Sequence, residues 1–182
     1  MIIKKKIIVI ILLSILSSCT TKKTIITDYN SEKLCNGMKD MSNYIENSNE
    51  IKSYFIENGN RKLNCEVNQL VTEGISFPFL QSEVAKIIMK EEKISLEQAS
   101  KRLEIKFLLK PILTLKSNCL ENIKNDKPDV KIAFYYYPEY SILTTEITKI
   151  KYSAEYGKGY LILAKINAEE KIEILKTTFW EE

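Results

Sequence analysis

The apolar residues of this chain change their period near residue 125, and that change limits the fold more than any other feature. Before it, Leu34, Met38, Met41 and Ile45 recur at spacings of four, three and four, which is one face of a helix. Ile51 to Ile56 fits either a continuation of helix or a strand ahead of an Asn58-Gly59 turn; helix is preferred, with Asn58-Gly59 as its stop. Leu63, Val67, Leu70 and Val71 predict another helix, ended by Gly74. Phe77-Pro78-Phe79-Leu80 reads as an apolar turn, because the residue before a proline is pushed out of helical geometry. Ser82 then caps a short helix carrying Val84, Ile87 and Ile88, and Ser95 with Gln98 forms a capping-box signature for the next. Pro111 suits the first turn of a last helix bearing Ile112, Leu115, Cys119 and Ile123.

Beyond Asn125-Asp126-Lys127-Pro128-Asp129 the texture becomes β. Val130 to Tyr137, Tyr140 to about Ile150, Tyr160 to Ile166 and Lys171 to Trp180 are rich in β-branched and aromatic residues, and turn residues separate them. Connections this short make an antiparallel meander of about four strands. The expected fold class is α+β, a helical N-terminal half (residues 31–124) packed on a C-terminal sheet (residues 130–180), with the helices over one sheet face. This order resembles, at the level of fold alone, the cystatin-like and NTF2-like folds, which wrap a helix in a curved antiparallel sheet; the resemblance implies a small-ligand-binding module as an alternative function.

The N-terminus has a different logic. Lys4, Lys5 and Lys6 precede the apolar run Ile7 to Leu16, and no acidic residue occurs before Asp28. A basic start followed by an apolar stretch of about 7–15 residues is a secretory signal. The run is too short to span a bilayer, which takes ~20 residues. It ends Leu16-Ser17-Ser18-Cys19, which resembles the lipobox of bacterial lipoproteins. That resemblance implies diacylglycerol on the Cys19 sulfur, cleavage after Ser18, and acylation of the new amino terminus. Residues 1–18 are then the signal peptide, 19–30 a lipidated flexible tether, and 31–182 a single domain. Thr20, rather than an aspartate, follows the cysteine. In a host with two membranes the family pattern then implies the periplasmic face of the outer membrane, and otherwise the outer face of the cytoplasmic membrane.

Removing residues 1–18 also removes the net charge. The precursor carries +3, and the remaining 164 residues hold 24 basic and 24 acidic side chains. A chain so balanced has no basic footprint for nucleic acid. Arg61 and Arg102 are its two arginines, which weakens any phosphate-handling reading. Histidine is absent, so catalytic triads and the usual zinc-hydrolase sites have no base or ligand to build on. No nucleotide motif, calcium loop or metal set occurs, and no cofactor is expected. Gly157-Lys158-Gly159 lies between strands and reads as a hairpin turn.

With Cys19 lipidated, Cys35, Cys65 and Cys119 remain, enough for one disulfide and one thiol. Proximity favours Cys35–Cys65, on an equal footing with three buried thiols. Seven of ten tyrosines fall between Tyr135 and Tyr160. On a strand, Tyr136 shares a face with Ile132 and Phe134, while Tyr135 and Tyr137 point away. Sheet packing accounts for most of them; the sharper reading makes Tyr135, Tyr137, Tyr140 and Tyr156 a contact surface. Without histidine, a hydrolytic site would need a carboxylate pair, and Glu139 and Glu146 amid the tyrosines are the candidates for a glycan hydrolase. The expected function is nonetheless non-enzymatic: a membrane-anchored envelope lipoprotein that binds another protein as inhibitor, immunity factor or assembly component.

Cys19→Ala should abolish incorporation of labelled fatty acid and leave the chain unprocessed or released; continued labelling would refute the lipid assignment.

Overall fold

The computed structural model describes residues 25–28, 32–56, 61–74, 78–109, 113–116, 119–120, 127–149 and 157–181. In chain order they form β1 (Ile25–Asp28), α1 (Glu32–Asn47), α2 (Asn49–Phe55), β2 (Cys65–Glu73), α3 (Pro78–Glu92), α4 (Leu96–Leu109), β3 (Leu113–Lys116), β4 (Val130–Tyr137), β5 (Ile142–Lys149), β6 (Lys158–Ile166) and β7 (Ile172–Glu181), with a 3-10 turn over Pro138–Tyr140. The fold is α+β. One sheet of seven strands runs β1-β3-β2-β4-β5-β6-β7. Its C-terminal part is the antiparallel meander that the turn spacing requires, β4 to β7 in order.

The helices form where local chemistry allows. On α1 the buried stripe is Leu34, Met38, Met41 and Ile45, the expected helical face. Ser48 caps α2, its hydroxyl accepting from the Ile51 amide at 3.3 Å. The Ser95 capping box closes as its sequence implies: Gln98 N–H donates to Ser95 Oγ at 3.2 Å, and Ser95 N–H to Gln98 Oε1 at 3.0 Å. Helix α3 starts earlier than expected, at Pro78, whose missing N–H costs nothing in a first turn. Ser82 therefore lies inside the helix and is not its cap.

Two stretches expected to be helical are strands. Leu63, Cys65 and Val67 alternate, and β2 pairs in parallel with β4, Val67 opposite Ile132 and Val71 opposite Phe134. Four residues of β2 thus span two of β4, a bulge over Asn68, Gln69 and Leu70. The bulge places Val71 four residues after Val67, which imitates a helical spacing. The segment after Pro111 forms β3, antiparallel to β2. At the other end, Ile25–Asp28, expected within a flexible tether, is an edge strand parallel to β3.

Helices cover both faces of the sheet, not one. On the first face α1 and α2 pack Leu34, Met38, Met41, Ile45, Ile51 and Phe55 against Ile132, Phe134, Tyr136, Ile147, Tyr160 and Ile162. Gly37 allows the close approach: a Cβ there would stand 2.5 Å from Ile166 Cδ1. On the second face α3 and α4 pack Leu80, Val84, Ala85, Ile88, Ala99 and Leu103 over Tyr137, Tyr140, Ile142, Leu161 and Leu163. Arg61 joins the starts of β2 and β4 by a two-pronged pair with Asp129, at 2.7 and 2.6 Å.

The disulfide is Cys35–Cys119, not Cys35–Cys65. It ties α1 to the chain just past β3 across a separation of 84 residues, with Cα atoms 5.1 Å apart. Cys65 keeps its thiol, buried at the start of β2, with Sγ donating to Leu63 O at 3.7 Å. Nearness in sequence misleads because Cys65 sits in the sheet core beneath α1, while Cys119 follows β3.

Non-reducing peptide mapping should recover Cys35 linked to Cys119, with Cys65 alkylated only after unfolding. Cys35→Ser should lower unfolding stability by about 2–4 kcal/mol, since the bond closes a long loop. A Cys35–Cys65 link, or unchanged stability, would refute the pairing.

Candidate interaction surface

The tyrosine cluster turns out to be mostly interior. Tyr136 joins the first core, with Ile132 and Phe134, and Tyr137 projects to the opposite face, as strand alternation requires. That opposite face lies beneath α3 and α4, so Tyr137 and Tyr140 are only 3% and 8% exposed. Their rings lie 5.3 Å apart. The Tyr140 hydroxyl donates to Glu92, which also pairs with Arg102. Burial, and then the hydrogen-bonded Glu92, push the Tyr140 phenol well above its ordinary value. Tyr135 is half-buried and donates to Glu146 Oε2 at 3.3 Å. Tyr137 and Tyr140 are therefore packing residues, because a second helical layer covers the face expected to be open. Tyr156 and Cys19 lie outside the described residues.

The two candidate carboxylates stand on different elements. Glu146 stands opposite Ala133 on β4. Glu139 lies in the 3-10 turn beyond Tyr137, four residues further along that strand. At about 3.3 Å per residue, Tyr137, where that turn begins, stands ~13 Å along the strand from Ala133. Glu146 is unusual by itself. Burial raises its carboxyl above the ordinary 4.5, and the Tyr135 hydrogen bond only partly opposes this. Beside it, Thr144 is fully buried, and its hydroxyl has no hydrogen-bond partner among the described residues.

What the fold leaves open is the outer end of β7. This ten-residue strand is the edge of the sheet. Its inner side pairs with β6; among the described residues its outer backbone groups face no strand. Phe179 is 64% exposed, more than any other large apolar side chain among the described residues, and Leu175 is 40% exposed. The Phe179 ring leans on Tyr54 of α2, with centroids 5.5 Å apart. Tyr54 is fixed in turn: its hydroxyl donates to Trp180 O at 3.2 Å and to Glu181 Oε1 at 3.3 Å, and Lys158 Nζ sits 4.5 Å over its ring. Burial and then Glu181 push the Tyr54 phenol up to about 12, so it stays a neutral donor. On the other side of β7, Trp180 lies over Gly159, where a Cβ would come within 2.5 Å of the indole Cε2.

The result is a rigid aromatic corner beside an open strand edge. Rigid aromatic side chains of this kind supply contact area at low entropic cost. Sequence reasoning passed over Phe179 because alternation from Ile172 and Ile174 puts it on the face opposite theirs, and the bulge at Leu175 that brings it back is not legible in the sequence. It does share a face with Tyr160, but β7 lies at the rim, where α2 reaches only Tyr54.

Among the described residues no group of three or more Cys, Asp or Glu side chains could hold a metal ion, and no helix is long and apolar enough to cross a membrane. Burial pushes the Cys65 thiol up to about 12, so it is a poor nucleophile. Comparison with protein-family models, with curated proteins and with solved structures finds no match.

An acid whose carboxyl is raised by folding contributes stability that is present at low pH and lost as the pH rises past its ordinary range. Glu146→Gln removes that loss. The variant should melt higher than the parent at pH 7, and the gap should close as the pH falls below 4.5. A lower melting temperature at pH 7 would show that the ionised carboxylate stabilises the fold.

Proposed function

We propose that this chain is a membrane-anchored envelope lipoprotein whose domain binds another protein. The observation that carries the binding reading is Phe179, 64% exposed on an open edge strand and braced by Tyr54. An exposed apolar side chain that size, on a strand that among the described residues is the edge of the sheet, suits a partner that adds an extended segment to the sheet. The Leu16-Ser17-Ser18-Cys19 sequence supports the anchor. The Cys35–Cys119 disulfide supports an exported, oxidising location. The anchor would hold the domain at the periplasmic face of an outer membrane, or outside the cytoplasmic membrane of a host with a single membrane. An inhibitor, an immunity factor or an assembly component would each act from there through binding alone.

Capture with the soluble 20–182 form, from envelope extracts and competitor supernatants, should recover a stoichiometric partner. Phe179→Glu should lose it while changing stability by less than ~0.5 kcal/mol, as exposed substitutions do. A partner retained by the variant would move binding off β7. No partner in any extract would count against protein binding.

A further inference from the structure

Strand β1 lies where the sequence reads as tether, and a disulfide stands beside it. By backbone pairing β1 is held by β3 alone, over four residues. Strand β3 in turn reaches the rest of the sheet through Leu70, Val71 and Thr72 of β2. Ladders that short are marginal, since two strands without further support are barely stable in water. Cys35, in the first turn of α1, and Cys119, just past β3, are bonded across this rim. Asp28 and Lys116, the last pair of β1 with β3, lie seven residues before Cys35 and three before Cys119. With the bond made, their pairing closes a short loop through the sulfurs. Without it, the same pairing closes the whole stretch from 28 to 116, and closure costs more as a loop lengthens. Helix α1 and strand β2 keep core contacts of their own, through Leu34 and Met38 and through Val71. What the bond adds therefore falls on the rim. The bonded cysteines are half-buried, whereas Cys65 is buried.

We infer that Cys35–Cys119 is a redox latch on the β1–β3 rim, and that opening it lengthens the membrane tether. A dithiol opens it by exchange. One thiolate attacks either sulfur and expels the other cysteine; the second thiol then displaces the first. The dithiol is oxidised to its disulfide, and its two protons end on Cys35 and Cys119. Latched, six residues carry the chain from Cys19 to Ile25, a reach of at most about 20 Å. Unlatched, β1 leaves the sheet, and the stretch from Cys19 to Glu32 is thirteen residues, a reach of at most about 45 Å. The domain can then stand further from the membrane with its meander and aromatic corner intact. The longer tether rests on the lipid-anchor reading above; the latch itself does not.

Hydrogen–deuterium exchange of the full-length protein in detergent tests the latch. Dithiothreitol under native conditions should free Cys35 and Cys119 for alkylation and leave Cys65 unlabelled. Amides of residues 25–28 and 113–116 should then exchange roughly ten-fold faster or more, close to the rate of unstructured chain, while those of β4 to β7 stay protected. Cys35→Ser combined with Cys119→Ser should show the same pattern without reductant; if that variant does not fold, the reduced parent gives the reading. A bond that resists dithiothreitol in the folded protein would overturn the latch. So would a rim that stays protected after reduction, or protection lost from all seven strands together. Labelled fatty acid reports the anchor separately: its absence from Cys19 would overturn the longer tether and leave the latch standing.

Discussion

Strand β6 is the constraint around which the molecule is arranged. Gly159 through Ala164 are all buried, so the strand presents apolar side chains to both sides of the sheet. A strand of that kind cannot meet water on either face. Each face must carry a helical layer, which is why α1 and α2 occupy one and α3 and α4 the other. Apolar burial supplies the energy, at about 25 cal/mol per Å² removed from water. Ionic contacts set the position of the outer layer: Glu83 reaches Lys176 on β7, and Glu91 reaches Lys165 on β6. Exposed pairs like these contribute at most ~1 kcal/mol each, so they orient the α3–α4 layer more than they hold it.

A sheet covered on both faces has only its edges and ends left for recognition. The two edges differ. The β1 edge has four residues; the β7 edge has ten. An edge that long is an aggregation hazard unless guarded. Two guards are visible on β7: Lys176, and the register shift that leaves Leu175 as an extra residue opposite the Leu163–Ala164 step. Beyond that bulge, the stretch from Thr177 to Glu181 continues its pairing with β6, and this is where Phe179 emerges. The edge is thus guarded along one half and open along the other.

Much of this was legible in the sequence, and each failure has a cause. The stripe of α1, the capping box of α4 and the four-strand meander follow from periodicity and turn chemistry, which are local. The β2 bulge defeated the same reasoning, because two extra residues between Val67 and Val71 convert an alternating pattern into a helical one. The unbroken run Tyr160-Leu161-Ile162-Leu163-Ala164 carried the signature of a strand buried on both faces. Taken seriously, it would have assigned helices to both sides and placed Tyr137 and Tyr140 inside. The disulfide partner of Cys35 was not legible, because the pairing depends on where β3 lies in the sheet.

By itself the sequence determined the α+β composition, the order of the last four strands and the absence of histidine chemistry, since these depend on residue types and their spacing. Tertiary structure alone decided which surfaces remain in water. Tyr137 and Tyr140 lie beneath a helical layer that is distant in sequence, and Phe179 is exposed because β7 is the last strand and nothing pairs beyond it among the described residues. Burial is a property of neighbours, and here the deciding neighbours lie several dozen residues or more away along the chain.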